Sequence, residues 1–286
     1  MAWWREVSPG PEPAMFGTAV AKSMYAALYG ELAPHAPLDG LSQDAYSLFY
    51  ARSAAMGWLT PAVEGASGGL WGMNDAGAGP DSGPHPPRVA WFQVTLTGPP
   101  PGGVLPVQPF LSCAGDVAAR LGTLRLDALQ VLLAGQDSPI AGDLASPSNM
   151  RVARPLLDSL NWFGDCDPGL RAPARVTLDG GPDSSVRAAA PAIAHWIQEV
   201  RQDVFACDSF SLADDDHLIL SPTPLDEPRP GTPHHRVTFC GTLAEWSLDA
   251  LGWLAAFLAD VSSRHGISTP LMLAADRTGM PHSPIA

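Results

Sequence analysis

Between residues 174 and 275 the chain presents a run of element signals whose order leaves few ways to fold. Residues 174–179 (ARVTLD) alternate apolar and polar side chains, the period of a half-buried strand. A helix is expected at about 188–205, where Ile193, Trp196, Ile197, Val200 and Val204 form one stripe while His195, Glu199 and Gln202 fall nearly opposite. Strands follow around 217–220 and at 234–241, joined by the Pro-rich connection 221–233. The next helix, 247–265, is bounded by signals that agree. Ser247 is an N-cap type, Glu245 and Asp249 sit at the positive end of the dipole, Arg264 and His265 at the negative end, and Gly266 follows as the stop. A last strand is read at 269–275.

The order β-α-β-β-α-β is that of a ferredoxin-like split βαβ fold, and an α+β protein with such a unit over about 173–276 is the expectation. Residues 88–97 (RVAWFQVTLT), a Pro-Gly loop, a helix near 110–121 and an apolar run at 124–133 read as an additional βαβ-like half-unit. The α+β domain then spans 88–286, with the half-unit either extending the same sheet or closing toward a barrel. Residues 14–32 place Phe16, Val20, Met24, Ala27 and Leu28 at helical spacing, and 43–56 repeat the pattern through Ala45, Leu48 and Phe49. Residues 1–60 therefore read as an N-terminal helical hairpin. Residues 61–87 lack apolar periodicity and are dense in Gly, Pro and Ala, which reads as a linker or long loop. Within them Gly65-Ala66-Ser67-Gly68-Gly69 matches the pattern of a hydrolase nucleophile elbow, but neither flank offers the strand and helix such an elbow requires.

Composition excludes several chemistries. The net charge is −13, and Lys22 is the only lysine. Affinity for nucleic acid and for anionic membranes is built from clustered Lys and Arg, so neither is an expected partner. A Schiff-base enzyme or a P-loop would have to use Lys22, which no Gly-rich phosphate loop precedes. The N-terminal residues carry no basic segment leading into an apolar run, and no uncharged apolar stretch is long enough to span a bilayer, so a cytoplasmic protein is expected. Scarce lysine beside abundant Ala, Gly, Pro and Arg points to a bacterial source of high GC content. Cys113, Cys166, Cys207 and Cys240 show no CxxC and read as thiols. Cys207, His217, His234, His235 and Cys240 lack the close ligand pairs of structural zinc sites, and Asp214-Asp215-Asp216 lacks the spacing of a calcium loop. Neither a metal nor a cofactor is signalled.

Strand parity locates the candidate site. On the strand from His234, Val237 and Phe239 face the helices, which turns His234, Arg236, Thr238 and Cys240 outward. By the same rule Val176 and Leu178 turn inward, leaving Arg175, Thr177 and Asp179 outward. These two strands are central neighbours in a ferredoxin-like order, so their outward residues form one patch. His234, Arg236, Asp179 and Cys240 are the candidate catalytic group, because acid–base work needs a His beside a carboxylate. Arg175, Thr177 and Thr238, with Tyr25 and Tyr46 from the N-terminal region, are candidate substrate contacts, the arginines being suited to a carboxylate or an enolate-like charge. Tyr25/Tyr29 and Tyr46/Tyr50 are each four apart and share a face. With nine tryptophans and only 16% charged residues, the expected ligand is a hydrophobic small molecule. The reaction expected is a cofactor-independent proton transfer, cyclisation or isomerisation. The competing expectation is an accessory protein whose sheet face docks a protein partner or a second copy as a homodimer.

Overall fold

The computed structural model describes residues 22–35, 44–61, 68–79, 86–136, 153–200, 202–212 and 234–278. It is an α+β protein built on one open antiparallel sheet of eight strands. These are β1 (Ser23–Pro34), β2 (Trp71–Ala78), β3 (Arg88–Leu96), β4 (Gly122–Leu133), β5 (Ala172–Asp179), β6 (Phe205–Ser211), β7 (Arg236–Leu243) and β8 (Leu271–Arg277). The helices are α1 (Ala45–Ala55), α2 (Val107–Leu121), the short α3 (Arg154–Asp158) and α4 (Leu160–Gly164), α5 (Ser185–Glu199) and α6 (Leu248–Arg264). They pack on one face of the sheet, against Met24, Ala26 and Leu28 of β1, Phe92 and Val94 of β3, Val176 and Leu178 of β5, and Val237 and Phe239 of β7.

The strand order is β2-β3-β1-β4-β8-β5-β7-β6. Read from the middle outward, each half runs in the same sequence: β4, β1, β3, β2 on one side and β8, β5, β7, β6 on the other. Each half is also β-α-β-β-α-β along the chain. The halves join where β4 pairs antiparallel with β8, from Ala128 opposite Asp276 to Leu133 opposite Leu271. Over this seam α2 and α6 pack against each other. Glycines make that approach possible: a Cβ at Gly252 would sit 2.9 Å from the Gln108 Cα, and one at Gly115 would sit 3.1 Å from a Leu248 methyl. The segment carrying α3 and α4 is pinned to α6 by the Trp253 indole N–H, which donates to the Leu156 carbonyl at 2.9 Å, with Leu156 and Phe163 buried beneath it.

Local signals account for α6. The Ser247 hydroxyl accepts from the Ala250 N–H at 3.1 Å, and Gly266 takes a left-handed φ of 79°. Helix α1 is likewise present where periodicity places it, capped by Asp44, whose carboxylate accepts from the Ser47 N–H at 2.6 Å.

The N-terminal helical hairpin is corrected, because residues 23–34 are a central strand. Spacings of four residues, such as Met24/Leu28 and Tyr25/Tyr29, lie on one face of a strand as well as of a helix. Every residue from Ser23 to Gly30 is buried, so the alternation that marks a strand is missing from the sequence. The linker assigned to 61–87 is corrected as well, since Trp71–Ala78 is the edge strand β2. Its sequence WGMNDAGA has no β-branched residue, and its register shifts between Met73 and Asp75. The helix expected to reach residue 205 ends at Glu199, and Phe205 begins β6, whose register shifts between Cys207 and Ser209. A bulge on each edge strand breaks the flat template along which a second sheet would add. The strand expected at 217–220, the connection 221–233, and Gly65, Ala66 and Ser67 of the elbow-like pattern lie outside the described residues.

Candidate functional site

Cross-strand registers align the side chains that point away from the helices into rows running across the sheet. One row is Arg236 (β7), Asp179 (β5), Met272 (β8), Leu132 (β4), Tyr25 (β1) and Gln93 (β3). The next is Thr238, Thr177, Ala274, Gln130, Ala27 and Trp91, and a third is Cys240, Arg175, Asp276, Ala128 and Tyr29. Neighbours in a row have their Cβ atoms about 5 Å apart.

Asp179 is the hub of the first row. Its Oδ2 accepts from His234 Nδ1 at 2.9 Å and from Arg236 Nε at 2.8 Å, and its Oδ1 accepts from the Gly181 N–H at 2.7 Å. Gly181 has φ +60°, the left-handed turn that aims this N–H back at the carboxylate. The same turn is clamped to the start of β7: the His235 N–H donates to the Gly181 carbonyl at 2.9 Å, and the Gly180 N–H to the His235 carbonyl at 3.1 Å. A carboxylate only accepts, so Nδ1 of His234 carries the proton and the lone pair of the neutral ring is at Nε2. The Asp179 side chain is 14% exposed and that of His234 52%. A held carboxylate thus orients an imidazole that solvent reaches.

In the second row the Thr177 and Thr238 hydroxyls hydrogen-bond each other at 2.9 Å. In the third, Arg175 grips Asp276, with Nη2 donating to Oδ2 at 2.6 Å and Nε lying 3.1 and 3.2 Å from the two oxygens. Cys240 lies opposite Arg175 in register. Further across, Tyr25, Ala27, Tyr29, Ala128 and Leu132 form a second apolar cluster on this outward face, with Trp91 and Met272 half-buried against it. Tyr25 stacks on Trp91 with ring centroids 6.2 Å apart and receives a hydrogen bond from Arg88 Nη1 at 3.3 Å. The buried Tyr29 hydroxyl donates to the Gln130 side-chain oxygen at 2.9 Å.

The structure therefore brings together His234, Arg236, Asp179, Cys240, Arg175, Thr177 and Thr238 as strand parity expects, and sets Tyr25 on the same face. Tyr46 is elsewhere: it lies on α1 in the helical layer, 39% exposed, while Phe49 and Ala45 of that helix enter the core. Arg175 and Arg236, expected to suit a carboxylate or an enolate-like charge, each hold a carboxylate of the protein in the structure. Sequence reading missed Asp276, Met272, Ala274 and Gln130. Parity on β4 and β8 was the available signal for these, and it becomes usable only once the order of the strands is known.

His195 and Glu199 are exposed on α5, opposite the buried stripe of Ile193, Trp196 and Ile197. The four cysteines are free thiols. Burial pushes Cys113 and Cys207 up to about 11, which keeps both as neutral thiols. Among the described residues no three His, Cys, Asp or Glu side chains are grouped to hold a metal ion, and no helix is long and apolar enough to cross a membrane. No family model matches the chain, and comparison with curated proteins and with solved structures finds no match.

Proposed function

We propose that the outward sheet face is the active site of a cofactor-independent enzyme that moves a proton on a hydrophobic small molecule. The observation that carries the reading is the first row. Arg236 and Asp179, with His234 hydrogen-bonded beside them, continue directly into the half-buried Met272, so an acid–base group abuts an apolar side chain that in turn joins the buried cluster of Leu132 and Tyr25. The roles follow from the hydrogen bonds. His234 Nε2 accepts the substrate proton, and Asp179 fixes the tautomer and stabilises the imidazolium that results. Arg236 keeps Asp179 in place, while the Thr177–Thr238 pair offers hydroxyls beside the reacting group. Isomerisation is such a transfer when the same imidazole returns the proton at another atom; in a ring-closing addition His234 takes the proton of the attacking group and returns it to the atom that receives the electron pair of the π bond opened by the attack. We also read each half of the chain as a ferredoxin-like unit, on the strength of its β-α-β-β-α-β order and its strand arrangement.

The test lets the protein itself select the substrate. The protein is purified from its own host, its retained small molecule is extracted and identified by mass, and that molecule is returned to the protein in D2O. Exchange of a carbon-bound hydrogen for deuterium, lost in His234→Ala and Asp179→Asn, is the expected result. Recovery of a stoichiometric protein partner with no small molecule would favour the accessory reading instead. The half-exposed His234 side chain is the observation in favour of that second reading, since a docking protein reaches such a group as easily as a ligand does.

A further inference from the structure

We infer that the ligand of the outward face is uncharged, and that the face discriminates against carboxylates, sulfonates and phosphates. The inference rests on the reading of this face as a small-molecule site, and goes further by naming the class of molecule. Arg236 and Arg175 are the guanidinium groups that β7 and β5 contribute to this face, and each is committed to a carboxylate. In both pairs the carboxylate is the more buried member, at 14% and 16% side-chain exposure against 24% and 33% for the arginines. Drawing a guanidinium away to meet a ligand would leave a carboxylate charge sheltered from water and uncompensated. The four charges of Arg236, Asp179, Arg175 and Asp276 cancel.

A cation gains no better foothold. Both Asp276 oxygens receive Arg175, and the two Asp179 oxygens receive three donors between them. Beside these pairs Met272 and Thr238 are half-buried and uncharged, and the rows continue into the buried Leu132, Ala274 and Thr177. Arg88, on β3 at the far side of the Tyr25 cluster, donates to the Tyr25 hydroxyl. An anion entering beside His234 would shed its water where the guanidinium groups of Arg175 and Arg236 already hold carboxylates, on a chain of net charge −13. An uncharged molecule with an apolar body loses little solvation and packs on the half-buried Met272 beside His234.

The test is a fluorescence titration of the full chain with a matched pair of probes, the uncharged N-phenyl-1-naphthylamine and its sulfonate, 8-anilino-1-naphthalenesulfonate. The uncharged probe is expected to bind at least tenfold more tightly. Met272→Glu puts a charge on the half-buried side chain next to Asp179 and is expected to abolish that binding; should it alter the circular dichroism spectrum, Thr238→Phe, at a second half-buried position, serves the same purpose. Asp276→Asn removes the carboxylate that neutralises Arg175 and is expected to raise sulfonate affinity about tenfold while leaving the uncharged probe unchanged. Equal or tighter binding of the sulfonate to the wild-type face, or no gain in Asp276→Asn, would overturn the inference and leave the ligand site standing. Binding of neither probe, or binding indifferent to the row substitutions, would instead remove the ligand-site reading and this inference with it.

Discussion

Asp179 and Arg236 face each other directly across the β5–β7 ladder, and the carboxylate oxygen that accepts Arg236 Nε at 2.8 Å also accepts His234 Nδ1 at 2.9 Å. One oxygen thus joins a structural ion pair to a solvent-reachable imidazole.

Removing the two partners has unequal consequences. Asp179→Ala strips three donors of their acceptor, among them the partly buried Arg236, and is expected to cost about 1–3 kcal/mol of stability. His234→Ala removes a half-exposed side chain and is expected to cost under about 1 kcal/mol. Urea unfolding of both variants checks the contrast; an equal loss would mean that His234 serves the fold rather than the site.

The seam between the halves depends on how closely α2 approaches α6. A Cβ at Gly252 meets backbone at 2.9 Å, so Gly252→Val forces the helices apart and is expected to cost about 1–3 kcal/mol. At Gly115 the obstacle is the end of the Leu248 side chain, 3.1 Å away, which can rotate. Gly115→Ala is expected to be near neutral, since roughly 1 kcal/mol of helix propensity offsets the crowding. Thermal melts of the two variants distinguish the positions.

Two partly buried groups set opposite slopes in the dependence of stability on pH. Burial lowers the pKa of His265 from its ordinary 6.5, and its buried Nε2 has no hydrogen-bond partner. Below pH 6.5 the unfolded chain therefore binds a proton that the folded chain resists, so stability falls as pH drops through that window. His265→Phe is expected to flatten this decline. Asp249 has its pKa raised above 3.8, first by burial and then by Glu245 and Asp116, so between pH 3.8 and the raised value the folded state binds more protons and stability falls as pH rises. Asp249→Asn is accordingly expected to stabilise the protein at neutral pH. Denaturation midpoints from pH 4 to 8 report both effects.

Thiol chemistry should distinguish Cys113 and Cys207 by access. Burial raises both to about 11, but Cys113 is wholly enclosed while Cys207 is half-buried on an edge strand. Labelling by a disulfide reagent at pH 8 is expected to leave Cys113 untouched until the chain unfolds. At Cys207 it should be slow and quicken about tenfold per pH unit below 11, in step with the thiolate fraction.

What the sequence by itself determined is whatever rests on contacts near in the chain or on one face left open to solvent. Helix α6 with its Ser247 cap and Gly266 stop belongs here, as do β3, β5 and β7, whose alternation was readable. So does the patch of Asp179, His234 and Arg236, because parity on two such strands and one assumed pairing were enough to find it. Tertiary structure decided the rest. Strand β1 is covered on both faces, so burial erased its period and Tyr25 passed for a helical residue. Strand β2 takes its place through hydrogen bonds to β3 that polar and glycine residues make as well as any. The matched charges of Arg175 and Asp276 lie 101 positions apart, and only the pairing of β5 with β8 brings them together. Periodicity records which way a side chain points; which strand lies beside it, and so what that side chain meets, is set by long-range pairing that no local pattern encodes.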